Sequence, residues 1–191
     1  MRPITSALVK QKARDLGFDL CGIAAAERFP ELSFLRTWLD RGYGGTMTYL
    51  HRSAKRRADV HGVVPGARSV IVTGTLYNTD RPYSTDAPAP ASRAPTALIA
   101  RYAWGDDYHE VIRSKLGALQ ARLDALVGWM REASPEPFEA RAYADTGPVQ
   151  ERVFAQYAGL GWIGKNTCLI NADIGSWLFL AEVICTLPLE P

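Results

Sequence analysis

Cysteine is scarce in this sequence, and its few thiols are widely separated. The 191 residues contain three cysteines, Cys21, Cys168 and Cys185, and no two of them have CxxC spacing. An odd and scattered set is typical of reduced thiols rather than of a disulfide framework. An iron–sulfur cluster needs several closely organised thiolates. We therefore expect this chain to form neither a disulfide nor an iron–sulfur cluster by itself.

Long apolar runs and a strong charge of one sign are also lacking. No apolar run approaches the ~20 residues that cross a bilayer, and no long apolar stretch follows the first residues. The sequence thus predicts no membrane span and no secretory signal, and we expect a cytoplasmic protein. The formal net charge of +2 does not indicate a nucleic-acid partner, but it is compatible with a local basic patch.

The composition is that of a globular protein. Hydrophobic residues make up 47% of the chain and charged residues 22%, which is an ordinary balance. The length predicts a single domain over residues 1–191, with a proline-rich loop at 79–95.

Helices and strands alternate irregularly in the predicted fold. Apolar residues that recur every three or four positions indicate helices, and short alternating or apolar runs indicate strands. The lack of a regular βαβ rhythm favours an α+β fold, with a mixed sheet and flanking helices, over a doubly wound one. The predicted helices are 4–16, one beginning at Pro30, 107–132 and one beginning at Pro148; the predicted strands are 18–23, 69–76, 97–103, 138–144, 168–171 and 177–184.

The first candidate site is the stretch Asp-Thr-Gly-Pro-Val-Gln-Glu-Arg at residues 145–152. Asp145 follows a predicted strand and precedes a predicted helix, so we expect its carboxylate at the rim of the sheet. Asp is a favoured helix N-cap, and Pro148 suits the first helical position. The same carboxyl group can act as a general acid if an apolar ligand surface keeps it protonated. The local sequence allows both roles.

The second candidate site is the stretch Gly-Leu-Gly-Trp-Ile-Gly-Lys-Asn-Thr at residues 159–167. Glycines let a backbone approach a ligand closely, and Lys165 supplies a donor for phosphate or amide groups. The spacing matches neither the P-loop nor the dinucleotide-binding fingerprint. A helix C-cap followed by a tight turn also explains these glycines.

A basic run and the histidines complete the candidate residues. Residues 51–57 carry a histidine, a lysine and three arginines; such a run is typical of a solvated face, although it can also meet phosphate. His51, His61 and His109 have no metal-ligand spacing. The sequence therefore predicts no metal bound by protein side chains.

Together these stretches resemble the N-terminal part of the epoxyqueuosine reductases, over nearly the whole chain. Val60 and Ala181 stand where the family pattern has Pro and Gly, which are modest changes. The resemblance is carried by Met-Thr-Tyr-Leu at 47–50, Arg57, Pro-Gly-Ala-Arg-Ser-Val-Ile at 65–71, Ala-Arg-Tyr-Ala at 100–103, Asp-Tyr-His at 107–109, the two candidate stretches, Gly-Ser-Trp-Leu-Phe-Leu at 175–180 and Leu-Pro-Leu at 187–189.

The resemblance implies a cobalamin-binding fold similar to those of reductive dehalogenases and nitroreductases. It implies reduction of epoxyqueuosine to queuosine at the wobble position of tRNA, with Asp145 as the proton donor. None of the histidines lies in either candidate stretch, so we expect cobalt to have no histidine ligand. The residues expected to bind the cofactor are Arg57, Tyr102, Tyr108, Arg152, Gly161, Trp162, Ile163, Gly164, Lys165 and Asn166.

The resemblance also implies a source of electrons outside this chain. In the family a following domain carries two 4Fe–4S clusters, and this sequence ends at Pro191, where the family continues into its cysteine motifs. We therefore expect the iron–sulfur domain to be missing, and turnover to depend on that domain or on an external reductant.

Two alternatives remain open: a non-catalytic cobalamin-binding module, and a flavin-dependent enzyme similar to nitroreductases. A reductive dehalogenase is disfavoured because a twin-arginine export signal is missing. If Asp145 is not the acid, Glu151 and Tyr108 are the next candidates.

Overall fold

A computed structural model describes the backbone of residues 4–78, 82–83 and 108–191, with side chains from residue 118 onward in the last range. Its helices are α1 (Ser6–Asp15), α2 (Phe34–Asp40), α3 (Thr48–Arg57), α4 (Tyr108–Ala133) and α5 (Glu151–Tyr157), with 3-10 turns at Pro30–Ser33 and Val60–Gly62. Its strands are β1 (Leu20–Ala25), β2 (Ser69–Leu76), β3 (Ala140–Ala144), β4 (Trp162–Ile163), β5 (Leu169–Ile170) and β6 (Leu178–Cys185).

Four strands form one sheet in the order β1-β2-β6-β3. The central strands β2 and β6 pair along their whole length, from Ser69 opposite Cys185 to Leu76 opposite Leu178. The pairs β1–β2, β2–β6 and β3–β6 are antiparallel, so the described residues contribute no parallel pair to this sheet. The α+β class with flanking helices is confirmed.

One face of the sheet is covered by α1 and α4. The apolar stripe predicted for α4 is confirmed over its described part, because Leu119, Leu123, Leu126 and Met130 are all buried. These side chains pack with residues of α1 and with the sheet residues Ile71 and Val183, among others. Burying a side chain of this size stabilises the fold by about 1.5–3 kcal/mol.

The opposite face is covered by α5, the 3-10 turns and the β4–β5 hairpin. Phe154 of α5 is fully buried there with Leu32, Val60 and Leu169. Because side chains alternate along a strand, Leu178, Leu180 and Ile184 of β6 face this side. Glu182 lies between the last two, so it faces the same side.

The predicted helix 4–16 and the strands 69–76 and 177–184 are confirmed within about two residues. The first predicted strand, 18–23, is confirmed within the same margin as β1, but one predicted start is wrong, since α5 begins at Glu151 rather than at Pro148. The helix α3 and the strand β4 were not predicted. The predicted strand 97–103 and most of the predicted loop 79–95 lie outside the described residues. In the described part of the chain, no helix has the length and apolar character to span a membrane.

Candidate active site

The segment 145–150 crosses the rim of the sheet between β3 and α5. Asp145 immediately follows β3, is exposed, and has a φ of 61°, in the left-handed region. Asp tolerates this conformation better than most residues, but holding it still costs on the order of 1 kcal/mol. The N-cap of α5 is Gln150, not Asp145, and it makes no side-chain capping bond. The helix-cap role for Asp145 is therefore wrong.

Two side chains fix this segment from neighbouring elements. The Arg57 guanidinium of α3 donates to the carbonyl of Val149 at 2.7 Å and to Ser53 Oγ at 3.0 Å. The Gln150 amide donates to the carbonyls of Leu32 at 2.9 Å and Arg57 at 3.1 Å. These bonds hold the end of the segment that begins with Asp145 between α3 and α5, which limits how far the Asp145 carboxylate can move.

The β4–β5 hairpin is tied to α5 by Arg152, whose guanidinium donates to the carbonyl of Thr167 at 2.9 Å. Close packing within the hairpin explains its glycines. A Cβ on Gly161 would lie 2.1 Å from the carbonyl oxygen of Ile170, and one on Gly164 would lie 2.5 Å from Ile170 Cδ1. Gly161 therefore allows two backbones to pack closely, and Gly164 leaves room for the Ile170 side chain. Gly159, with a φ of 75°, follows the end of α5, as the C-cap prediction requires.

Asp145 stands where two clefts adjoin. The larger is open and has a volume of about 910 Å³; its wall combines apolar and aromatic side chains with Arg57 and Arg152. The smaller has a volume of about 410 Å³ and lies toward Cys168 and the start of β6. Asp145, Glu151 and Arg152 line both clefts. A large apolar cleft with a few convergent polar groups is the usual form of a ligand site.

The carboxyl groups at this position perturb one another. Burial and then the neighbouring charge of Asp145 raise the pKa of Glu151 to about 7, against the opposing effects of Arg152 and Arg57. Behind Glu151, Glu182 is fully buried, and burial followed by the charge of Glu151 raises its pKa well above the usual value.

The structure brings together only some of the side chains expected from the sequence. Asp145, Arg57, Arg152 and Ile163 line the larger cleft. Five others lie on the hairpin and are absent from the walls of both clefts: Gly161, Trp162, Gly164, Lys165 and Asn166. The Asn166 side chain accepts from the N–H of Cys168 at 3.1 Å, so it serves the hairpin turn. Tyr102 lies outside the described residues, as does the side chain of Tyr108.

Sequence analysis missed Glu182 and gave Glu151 only a reserve role. The signal for Glu182 was present: it is the single charged residue in the apolar run 177–184, and a buried polar residue is more informative than an apolar one. Among the described residues there is no group of three or more potential ligands that could hold a metal ion.

Comparisons with known proteins agree on one family. Residues 57–146 match the family "Epoxyqueuosine reductase QueG, DUF1730". The epoxyqueuosine reductase of Gloeobacter violaceus is 45% identical over 97% of this chain and 53% of its own length. That of Xanthomonas campestris is 40% identical over 96% of this chain and 49% of its own length. The chain thus spans about half the length of the curated relatives it matches.

The similar solved structures include several epoxyqueuosine reductases. The epoxyqueuosine reductase of Streptococcus thermophilus superposes with a TM-score of 0.74 and 27% identity, over 96% of this chain and 46% of that one. Another such reductase, solved with an epoxyqueuosine-modified tRNA stem loop, has a TM-score of 0.70 and 25% identity over 96% of this chain and 45% of its own. A Bacillus subtilis structure, with a TM-score of 0.71 and 25% identity over the same shares, has its catalytic aspartate loop swung out of the active site. A catabolic reductive dehalogenase shares the fold alone, with a TM-score of 0.52 and 17% identity over 95% of this chain and 19% of that one.

Proposed function

We propose that this chain, a relative of the epoxyqueuosine reductases over almost its whole length, carries the site that binds cobalamin and reduces epoxyqueuosine in tRNA. The observation that carries the proposal is the position of Asp145. The Asp145 backbone is held in the left-handed conformation, and the residue lines a cleft of about 910 Å³. A relative places a catalytic aspartate on a loop of its active site, and we assign that role here to Asp145.

The larger cleft suits a large cofactor with an apolar ring system and polar side groups. Its volume is near the upper end of the usual range for ligand sites, roughly 1,000 Å³. Aromatic and aliphatic side chains, including Phe34, Tyr49 and Leu50, offer an apolar wall, and Arg57 and Arg152 offer donors. Neither cleft wall includes a described histidine, which supports cobalt without a histidine ligand. When bound, cobalamin would supply the reducing electrons at the substrate carbon.

The protein itself would supply a proton to the reaction. Reduction of an epoxide to an alkene releases the ring oxygen, which must be protonated as it leaves. Asp145 is exposed to both clefts and can hand its proton to that oxygen. Burial and then the like charge of Asp145 raise the pKa of Glu151 to about 7, so Glu151 can hold a proton beside Asp145 near neutral pH.

The tRNA partner is supported by a positively charged surface beside the cleft. The helix α3 has no buried residue, and its last turn carries Lys55, Arg56 and Arg57. Lys55 and Arg56 are exposed, whereas Arg57 turns toward the cleft. Basic side chains on an exposed helix contact phosphates without reading sequence. We therefore assign phosphate contacts to Lys55 and Arg56, and a tRNA substrate implies a cytoplasmic protein.

Electrons for the reaction must reach the site from another group. The three cysteines are free and dispersed, with Cys185 buried in the sheet and Cys21 on the opposite edge strand from β3. They offer no closely organised set of thiolates for a cluster. We infer that an iron–sulfur domain or an external reductant supplies the electrons.

The Asp145→Asn variant tests the catalytic assignment. Because Asp145 does not cap a helix, we expect melting temperature and cobalamin binding to stay close to those of the wild type. Loss of a general acid should lower the rate of epoxide reduction by about 10²–10⁴-fold. The measurement is a single turnover of epoxyqueuosine-containing tRNA with cobalamin and a chemical reductant. Retained turnover in the variant would remove Asp145 from the mechanism and leave Glu151 or Tyr108 as the proton source.

A further inference from the structure

Glu182 is an unusual residue for the centre of a sheet. It lies on the central strand β6, opposite Val72 on one side and Tyr143 on the other. Its side chain is 0% exposed, and neither carboxyl oxygen has a hydrogen-bond partner among the described residues. An ionised carboxylate in this position would cost several kcal/mol. A carboxyl group so placed keeps its proton at neutral pH, and such a group calls for a functional explanation.

The charged groups that act on Glu182 come from three parts of the fold. Glu151 approaches from α5, Arg57 from α3 and Asp145 from the loop after β3. Arg152 of α5 acts on Glu151 from the cleft side. Three carboxyl groups therefore share their surroundings with two guanidinium groups.

Glu151 connects the buried carboxyl with the exposed one. It is partly buried, the charge of Asp145 acts on it, and its own charge acts on Glu182. It also lines both clefts together with Asp145. The order from the core of the sheet to the clefts is thus Glu182, Glu151, Asp145.

The proposed reaction needs more than one proton. Conversion of an epoxide to an alkene consumes two electrons and two protons, and it releases the oxygen as water. We propose that Glu182 and Glu151 form a proton store behind Asp145 and supply the second of these protons. This inference rests on the proposed function. The first proton leaves the Asp145 carboxyl for the ring oxygen, and the electrons come from the reductant. The stored proton then passes through Glu151 to the Asp145 carboxylate, which delivers it to the same oxygen, and the oxygen leaves as water.

The store is tested first without cofactor or substrate, by infrared spectroscopy of the chain at neutral pH. A protonated carboxyl has a C=O stretch that an ionised one lacks. We expect this band in the wild type, its loss in Glu182→Gln, and no loss in the control Glu27→Gln, which alters an exposed carboxylate. A wild-type spectrum with no band attributable to Glu182 would overturn the proposal. Should Glu182→Gln fail to fold, Glu151→Gln, at a partly exposed position, is compared with the wild type in its place.

The second arm follows single-turnover reduction as a function of pH. Glu182→Gln keeps the shape of the side chain but cannot deliver a proton, so we expect cobalamin binding to be unchanged and turnover to fall by about 10²-fold or more, most strongly at high pH. Normal turnover of Glu182→Gln beside a normal wild type would overturn the proton store and leave the proposed function standing. A wild type that neither binds cobalamin nor reduces the substrate would overturn both.

Discussion

At the scale of single residues, the site depends on where the backbone holds three carboxyl groups. Asp145 is exposed because β3 ends immediately before it and because Arg57 and Gln150 fix the segment that follows. Glu151 is partly buried because it begins the helix that covers the sheet. Glu182 is fully buried because it faces that helix from the central strand. The same chemical group therefore has three different environments within one site.

The raised pKa of Glu151 predicts how stability depends on pH. In the folded chain its pKa is about 7, against an ordinary value of 4.5. Since the folded state holds this proton more tightly, the stabilising effect is complete below about pH 4.5 and is lost as pH rises through about 7. The variant Glu151→Gln has no carboxyl group at this position, so no titration of this side chain contributes to its stability. We expect its free energy of unfolding to fall less than that of the wild type over this range, by on the order of 1–2 kcal/mol.

Chemical denaturation at several pH values measures this difference. The control is Glu136→Gln, which removes an exposed carboxyl that lines neither cleft. Parallel stability curves for the wild type and Glu151→Gln would show that Glu151 ionises normally in the folded chain.

The place of Asp145 between a strand and a helix made it a candidate, and the resemblance assigned its role and added Arg57 and Arg152. Glu182 was missed because the burial of that residue depends on α5, which is distant along the chain. Local pattern indicates that a strand is apolar, but it does not indicate which carboxyl groups a fold brings together.

At the scale of elements, close packing within the β4–β5 hairpin explains the glycine-rich stretch. Gly161→Ala would place a Cβ 2.1 Å from the carbonyl oxygen of Ile170. We expect a loss of about 1–3 kcal/mol of stability, because neither backbone can retreat without breaking the hairpin. The matched control is Gly128→Ala within α4, where no atom lies within 4 Å of the added Cβ. That helical substitution should stabilise the chain by about 0.5–1 kcal/mol.

Urea denaturation of both variants, paired with cobalamin titration, separates structural from ligand-binding glycines. Equal stability of Gly161→Ala and the wild type, together with weakened cobalamin binding, would show that Gly161 contacts the cofactor instead.

The elements that sequence analysis predicted well are those with a buried apolar stripe or run. The helix α4 and the central strands β2 and β6 have such patterns, and each was placed within about two residues. The helix α3 was missed because none of its residues is buried, so it has no apolar period to detect. The strand β4 was missed because it has only two residues, which is too short for any period.

At the scale of the whole molecule, the sheet separates a structural side from a functional one. The face under α1 and α4 is an apolar core. The face under α5 has an apolar core as well, but it also carries the carboxyl groups and the clefts at its rim.

Titration of the purified chain with cobalamin under reducing conditions, followed by absorbance, tests the central claim most directly. We predict a spectral change that saturates at about one cobalamin per chain and that is the same in the variants His51→Ala, His61→Ala and His109→Ala. The claim is contradicted if cobalamin leaves the spectrum unchanged, or if the purified chain is yellow with a flavin spectrum.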